Sequence, residues 1–133
     1  MLQYNRGKRL TAYVPDYVVF DLETTGVNAA KDDIIEISAI KVRDKEVIDT
    51  LTTLVNPKRS IPYQATAVNG ITDDMVADAP VIGEVLNEFL GFTESQILVG
   101  HNIHTFDLKF IERAAALSGE AVANDYIDTL YMA

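Results

Sequence analysis

The sequence predicts an α/β fold in which helices pack on a mixed β-sheet. In the first half, apolar and β-branched residues recur with the period of two that is typical of strands, whereas from Pro62 the period becomes the 3.6 of helices. The chain has 133 residues, of which 48% are hydrophobic and 23% charged, so a single domain with a substantial core is expected. An antiparallel three-stranded meander followed by strand–helix units accounts for both patterns.

Three strands are predicted in the first half. The apolar run at 17–20 indicates a strand buried on both faces, which the turn residues at 24–26 bring to an end. A second strand is expected at 34–42, and a third, which is β-branched and alternating, at 46–55. The short polar pair at 44–45 predicts a tight hairpin between them.

The second half predicts helical segments separated by two further strands. Glycines end two of the helical segments, and a threonine and a proline begin two others. Along the two longer segments the apolar residues share one face, which we expect to pack on the sheet. In chain order, the elements are a helix at 64–70, a turn capped by Thr72, a helix opened by Pro80, a strand at 96–100, a helix at 107–117 with Leu117 facing inward, and a strand, or a strand running into a helix, at 126–130.

Residues 1–16 have no clean period and are predicted to form an N-terminal arm before the domain at 17–133. The arm contains Arg6, Lys8 and Arg9, which could contact phosphates, although a solvated tail is the more common role of such a segment. No apolar run approaches the length of a membrane span and no signal peptide is visible, so a cytoplasmic protein without a membrane partner is expected. The absence of cysteine excludes disulfides and thiolate metal sites.

The net charge of −9 argues against a protein that coats nucleic acid through a broad basic surface. It is compatible with an enzyme that gathers metal ions through carboxylates and meets nucleic acid through those ions. Such an enzyme is expected to hold a few nucleotides rather than a long duplex.

Two acids follow the apolar run of the first strand. Asp21 and Glu23 are two residues apart, so on a strand their carboxylates point to the same side. Two like charges at that place are unfavourable unless a cation lies between them, and no basic residue is near in the sequence. Because hard divalent cations prefer oxygen ligands, this pair predicts a metal site rather than surface acids.

A third acid, Asp107, occupies the first turn of the helix predicted at 107–117. Alone, an aspartate there would most often cap its helix, which stabilises it by about 1 kcal/mol. Considered together with Asp21 and Glu23, it is better interpreted as a third metal ligand.

Two stretches resemble the motifs of a known family. Residues 21–26, Asp-Leu-Glu-Thr-Thr-Gly, resemble the first motif of the DnaQ-like DEDDh 3′–5′ exonucleases, a family similar to the epsilon proofreading subunit of bacterial DNA polymerase III. Residues 101–107, His-Asn-Ile-His-Thr-Phe-Asp, resemble the second motif. The likeness runs from about Tyr17 to the end of the chain. It implies a ribonuclease H-like fold, in agreement with the meander and the strand–helix order.

The resemblance also implies roles for individual residues. Asp21, Glu23 and Asp107 would be catalytic and would bind two Mg²⁺ or Mn²⁺ ions, with Asp107 acting directly or through water. Two such ions, roughly 4 Å apart, stabilise the attacking and leaving oxygens in phosphodiester hydrolysis. The substrate would be a single-stranded 3′ end of DNA or RNA, and a DNA polymerase subunit would be a partner. The residues expected to bind the substrate are Thr24, Thr25, Gly26, His101, Asn102 and Phe106, the last by stacking on a base.

Three features depart from the family pattern. Three residues separate Asn102 from Phe106 where many relatives have two, and Asn69 stands where many have a histidine. The third motif, a His-x-Ala sequence followed by an aspartate, would supply the general base and the last carboxylate, and the 133 residues do not contain it. The chain is therefore expected to be C-terminally incomplete and to be inactive or weakly active as it stands.

Two further residues are not expected to complete the catalytic set. His104 precedes a helix with no orienting partner apparent, so it is not expected to replace the missing base. Asp128 is expected to be a structural acid at a strand end rather than a fourth metal ligand. The sequence thus predicts a metal-dependent 3′–5′ exonuclease domain that releases nucleoside monophosphates. The alternatives are a non-catalytic nucleic-acid- or polymerase-binding module on the same fold and a phosphatase-like hydrolase on a related one.

Overall fold

A computed structural model describes residues 6–131, so residues 1–5 of the predicted arm lie outside the described part of the chain. The strands and helices follow one another in the predicted order. None of the helices within residues 6–131 is long and apolar enough to cross a membrane. The elements are β1 Tyr17–Thr24, β2 Ile34–Arg43, β3 Glu46–Leu54, α1 Tyr63–Asn69, α2 Asp73–Val76, α3 Ile82–Thr93, β4 Ile97–Gly100, α4 Asp107–Leu117, β5 Tyr126–Asp128 and a closing 3-10 helix, Thr129–Tyr131.

The strands form one mixed sheet in the order β3-β2-β1-β4-β5. β1 pairs antiparallel with β2 and β2 pairs antiparallel with β3, whereas β1, β4 and β5 are paired in parallel. The hairpin between β2 and β3 turns at Asp44 and Lys45, whose φ angles of 52° and 69° match a type I′ turn. The predicted meander and mixed sheet are confirmed, and β1 lies at the centre.

Helices α3 and α4 pack on one face of the sheet. Val18, Phe20 and Leu22 of β1 point to that face and are buried in the main core, where the Phe20 ring lies 5.5 Å from the ring of Phe89 in α3. The residues between them on β1 are half-buried or exposed. The prediction that this strand is buried on both faces was wrong, because successive side chains of a strand alternate between a covered and an open face.

Helices α1 and α2 build a smaller core beside β2. Ile35 lies where the register between β1 and β2 shifts, and its side chain is fully buried in this core. Thr72 precedes α2 as predicted but makes no capping hydrogen bond through its side chain. Asp73 Oδ1 instead accepts a hydrogen bond of 2.8 Å from the backbone N–H of Ile61. The other members of this core are Ile61, Ala65, Ile71 and Val76.

Two details of the longer helices differ from the predictions. Helix α3 begins at Ile82, after Pro80, because Pro80 O is occupied by a hydrogen bond of 2.9 Å from Asn56 N, which keeps the chain extended there. Leu117, which was expected to face inward, is 68% exposed. It is the last residue of α4 and lies beyond the turn that the core covers.

The backbone after residue 6 is joined to the edge of the sheet. Tyr126 N donates to Lys8 O at 2.9 Å, and Leu10 N donates to Tyr126 O at 2.7 Å, which adds a short parallel bridge beside β5. The interpretation of this segment as a solvated tail was therefore wrong. A basic segment without a clean period can still be ordered when its backbone pairs with a strand far away in the sequence.

The side chain of Arg6 also connects this segment to α4. Arg6 donates through Nε and Nη2 to the carboxylate of Glu112, and its Nη1 donates to His104 O at 2.7 Å. Glu112 is only 5% exposed, so its charge depends on this partner.

We expect Arg6→Ala to lower the free energy of unfolding by about 3 kcal/mol, because it leaves the buried Glu112 charge without its partner. Lys8→Ala removes a neighbouring exposed cation and is expected to change stability by no more than about 0.5 kcal/mol. Denaturant midpoints of the two variants measure the difference. Equal midpoints would show that the ion pair does not hold the segment.

Candidate active site

Asp21 and Glu23 lie on the face of β1 that points away from α3 and α4. Asp21 is exposed and Glu23 is half-buried. Their register partners on β2 are Ser38 and Glu36, so Glu23 faces another acid across the strands. Burial raises the pKa of Glu23, and the negative charges of Asp21 and then Glu36 raise it further.

Asp107 reaches the same end of β1 because β4 runs parallel to β1. The carboxyl ends of parallel neighbouring strands lie at one edge of the sheet, and the loop after β4 delivers the first residue of α4 to that edge. Asp107 Oδ2 accepts a hydrogen bond of 3.2 Å from the backbone N–H of Leu22, the residue between Asp21 and Glu23. The Asp107 side chain thus binds the strand between the other two acids and does not cap its own helix.

The environment of Asp107 disfavours its charged form. The residue is 4% exposed, and this burial, followed by the charge of Asp21, raises the pKa of the carboxyl to about 7. Within residues 6–131, no three acidic or histidine side chains are close enough together to form a ready-made metal-binding group. Among the three acids, the charge of Asp21 acts on both Glu23 and Asp107, which gives two electrostatically coupled pairs.

The chemistry of these side chains fits a hard divalent cation. Carboxylate oxygens are the ligands that Mg²⁺ and similar ions prefer. A carboxylate that is both desolvated and close to another acid is the kind of group whose charged form a cation would stabilise. Asp21 is the one member that both pairs share.

The turn after β1 is fixed by its own hydrogen bonds. Thr25 is 5% exposed; its N–H donates to Asp33 O at 2.8 Å and its Oγ1 accepts from Asp33 N at 2.9 Å. Thr24 Oγ1 donates to Gly26 O at 2.6 Å. A Cβ on Gly26 would lie 2.4 Å from Asp32 Oδ2, so a side chain there would displace the Asp32 carboxylate, which accepts a hydrogen bond from Asn28 N. Of the three predicted substrate-binding residues in this turn, Thr25 is thus engaged in holding its shape.

Asn69, at the end of α1, lies against the same turn. Its Nδ2 donates to Thr24 O at 3.3 Å, and its Oδ1 accepts from Ile71 N at 3.0 Å. The Nδ2 end of the amide therefore joins α1 to the end of β1, and the Oδ1 end fixes the turn that follows α1. The position that departs from the family histidine is close to the predicted nucleotide-binding turn.

The loop between β4 and α4 carries the other predicted substrate-binding residues. His101 is exposed, with Nδ1 3.1 Å from Thr129 Oγ1, and Asn102 has the left-handed φ angle of 59°. The ring of Phe106 lies 4.9 Å from that of Phe110 and borders an open cleft of about 950 Å³. The cleft is also lined by Arg6, residues 27–30, Thr105, Lys109 and Glu112, and by none of the three acids.

His104 has orienting partners, contrary to the prediction. Its Nδ1 contacts the hydroxyl of Tyr126 and the guanidinium of Arg6, and its ring stacks on the Tyr126 ring at 5.7 Å. Burial lowers the pKa of His104, and the charges of Arg6 and Arg9 lower it further. These contacts tie His104 to the N-terminal segment. Sequence reasoning missed Arg6 as a member of this cluster, and the basic composition of the arm was the only available signal.

Comparison with known proteins supports the same family. The family model for the RNase T exonuclease matches residues 18–133. The chain is 46% identical over 115 residues to the PolC-type DNA polymerase III of Caldanaerobacter subterraneus, covering 86% of this chain and 8% of that protein. It is 43% identical over 119 residues to the DNA polymerase III subunit epsilon-like protein of Rhodobacter capsulatus, covering 87% and 17%. The chain thus spans less than a tenth of the PolC-type relative and about a sixth of the epsilon-like one.

Solved structures show the fold. E. coli exonuclease I in complex with a dA16 oligonucleotide superposes with a TM-score of 0.77 at 16% identity, covering 86% of this chain and 28% of that one. Exonuclease X in complex with 5′ overhanging duplex DNA superposes with a TM-score of 0.67 at 30% identity, covering 85% and 59%. The ribonuclease H-like fold that the motifs implied is confirmed. Both motifs lie at one end of β1, and the family model matches residues 18–133 of the 133 in the chain. This chain therefore belongs to the RNase T exonuclease family.

Proposed function

We propose that this chain is a metal-dependent 3′–5′ exonuclease domain that hydrolyses terminal phosphodiester bonds of single-stranded DNA and releases nucleoside monophosphates. The observation that carries the proposal is the 3.2 Å hydrogen bond from Leu22 N to Asp107 Oδ2. It joins the two family motifs at one point, with Asp21 and Glu23 on either side of Leu22.

Asp21, Glu23 and Asp107 are the residues that would hold two Mg²⁺ or Mn²⁺ ions. When bound, such ions stabilise the attacking and leaving oxygens of the reaction. Asp107 would contribute a carboxyl whose pKa of about 7 allows it to exchange its proton for a cation near neutral pH. Asp21 is exposed, so it can contact a cation and solvent together.

The substrate would be held by the turn at 24–26 and by the loop at 101–106. The ring of Phe106 offers a stacking face, which accepts any base, and His101 and Asn102 offer polar contacts. DNA is favoured over RNA because the similar proteins are named as DNA polymerases or were solved with DNA. For the same reason we propose a DNA polymerase as the partner and proofreading as the role. The catalytic unit would be residues 17–133, with residues 6–16 joined to it through β5.

Binding and shortening of a labelled oligonucleotide test the proposal. A 5′-labelled single strand with a free 3′ hydroxyl should bind in Mn²⁺ and not in EDTA, and a 3′-phosphorylated strand should bind more weakly. Slow stepwise loss of nucleotides from the 3′ end is expected, because the sequence contains no His-x-Ala motif to supply a base. Glu36→Gln is the matched control, since it removes an acid of the adjacent strand that is not a proposed ligand.

The same experiment can overturn the proposal. Equal binding in Mn²⁺ and in EDTA would show that the metal takes no part in recognition. Equal binding of strands with free and phosphorylated 3′ ends would show that the 3′ terminus is not recognised. The pairwise arrangement of the acids within residues 6–131 favours one alternative, a non-catalytic DNA-binding module. That module would bind DNA without shortening it, and Asp21→Asn would leave its binding unchanged.

A further inference from the structure

We infer that Asp128 is a positioning residue that holds the loop at 101–106 in the shape that delivers Asp107 to β1. The inference rests on the proposed function, because the placement of Asp107 affects activity only if this carboxylate binds ions. Asp128 ends β5, the strand that pairs with β4 and so lies beside the start of the loop. It is 1% exposed, although it is an acid.

The Asp128 carboxylate binds the loop through both of its oxygens. Oδ1 accepts a hydrogen bond of 2.7 Å from Asn102 N, and Oδ2 accepts one of 2.8 Å from His104 N. Oδ1 also accepts one of 3.0 Å from Leu130 N at the start of the 3-10 helix. Three backbone donors therefore share one buried carboxylate, and two of them belong to the loop.

The loop has a shape that needs such an anchor. Asn102 adopts a left-handed φ angle of 59°, which is unfavourable for most side chains. The next residue, Ile103, is fully buried, and it folds back so closely that a Cβ on Gly100 would lie 2.4 Å from its Cγ2. Without Asp128, the N–H groups on either side of Ile103 would lose their acceptors.

The anchored part of the loop leads directly into Asp107. Ile103 O accepts a hydrogen bond of 2.9 Å from Leu108 N in the first turn of α4. The position of Ile103 therefore fixes where α4 begins and where the Asp107 side chain meets Leu22 N. Asp128 acts on the site through this backbone path and does not itself touch the other acids.

Two simpler roles are open to the same residue. Asp128 could anchor only the 3-10 helix through Leu130 N, or its charge could act on Asp107 through space without any effect of geometry. Asp128→Asn keeps the volume but places an amide NH₂ against one of the backbone donors. Asp128→Glu keeps the charge but is longer by one methylene, at a position that is 1% exposed. The two variants thus separate charge from geometry.

The test combines two readouts on the full chain. In the metal-free protein, the backbone amide NMR signal of Leu22 reports the hydrogen bond to Asp107, and Mn²⁺ titration reports the ion affinity. We expect both variants to shift the Leu22 signal and to weaken Mn²⁺ binding roughly 10- to 100-fold. Asp125→Asn is the matched control, because Asp125 also accepts a backbone hydrogen bond, from Lys8 N at 2.8 Å, but does not touch the loop.

Each outcome decides the question. An unchanged Leu22 signal with unchanged Mn²⁺ affinity in Asp128→Asn would overturn the inference, and so would wild-type behaviour of Asp128→Glu, since charge alone would then suffice. If both variants fail to fold while Asp125→Asn folds, Asp128 is a folding residue and the inference is also overturned. If the wild-type chain binds no Mn²⁺, the proposed function fails, whereas the Leu22 comparison still decides the positioning role.

Discussion

Replacing Asp107 by asparagine is expected to stabilise the metal-free protein at pH 8 and to abolish its stabilisation by divalent ions. The folded-state pKa of Asp107 is about 7, against 3.8 for an ordinary aspartate. Between these two values the folded chain keeps a proton that the unfolded chain releases. Stability therefore falls as the pH rises from about 4 to about 7, and the full penalty is present above pH 7.

Asparagine removes this penalty because it cannot ionise, and its side-chain oxygen can still accept the hydrogen bond from Leu22 N. At about 1.4 kcal/mol for each unit of the difference between the two pKa values, the gain above pH 7 is on the order of 4 kcal/mol. It should shrink to nearly nothing at pH 4. Urea midpoints in EDTA at pH 4, 6 and 8 measure the trend.

Asp78→Asn provides the control, because it removes an exposed carboxylate outside the site and should show no such trend. Addition of Mn²⁺ at pH 8 should stabilise the wild type and the control, and not Asp107→Asn. If Asp107→Asn is less stable than the wild type at pH 8 in EDTA, the folded protein does not disfavour the charged form of Asp107.

The strands and the two acids of β1 could be predicted because their signals are local. Alternation and turn residues place β1, β2 and β3 within one or two residues of their observed bounds. The period of two puts Asp21 and Glu23 on one side whatever packs around them. What the local pattern could not show is which face of β1 the helices cover, since an apolar run of four residues is compatible with one covered face or two.

Contacts between distant parts of the chain could not be predicted from the sequence. The pair of Arg6 with Glu112 joins residues 106 positions apart, and nothing in either neighbourhood indicates the other. The same holds for Tyr126, whose backbone pairs with the N-terminal segment and whose side chain orients His104. Tertiary pairing decides such contacts, so a basic segment and a loop histidine were both misjudged.

The candidate site could be predicted from the sequence only in part. That Asp107 would join Asp21 followed from the two motifs, because a parallel strand–helix unit brings both to one sheet edge. The fold of the loop at 101–106, in contrast, determines three properties of Asp107: its hydrogen bond from Leu22 N, its burial and its raised pKa. That loop depends on Asp128, an acid that the sequence shows only as the end of a short apolar strand.

Asp21→Asn is expected to have the largest effect on ion binding, because Asp21 is the member that both carboxylate pairs share. Its charge raises the pKa of Glu23 and that of Asp107. The variant should therefore lower both pKa values, so that in the metal-free protein Asp107 titrates below 7. It also removes a proposed ligand, so Mn²⁺ affinity should fall by more than the roughly 10- to 100-fold that loss of an outer partner causes.

These two effects act in opposite directions, and this makes the variant informative. A lower pKa leaves Asp107 more fully charged at neutral pH, which by itself would favour cation binding, so a net loss of affinity means that the removal of the Asp21 carboxylate outweighs this gain. Glu36→Gln is the matched control: its charge raises the pKa of Glu23 alone, so it should leave both the Asp107 titration and the ion affinity nearly unchanged. Carboxyl-detected NMR titrations and Mn²⁺ binding measure the two quantities independently. If Asp21→Asn lowers the pKa of Asp107 yet binds Mn²⁺ as tightly as the wild type, Asp21 is an electrostatic neighbour and not a ligand, and the ions must be held elsewhere.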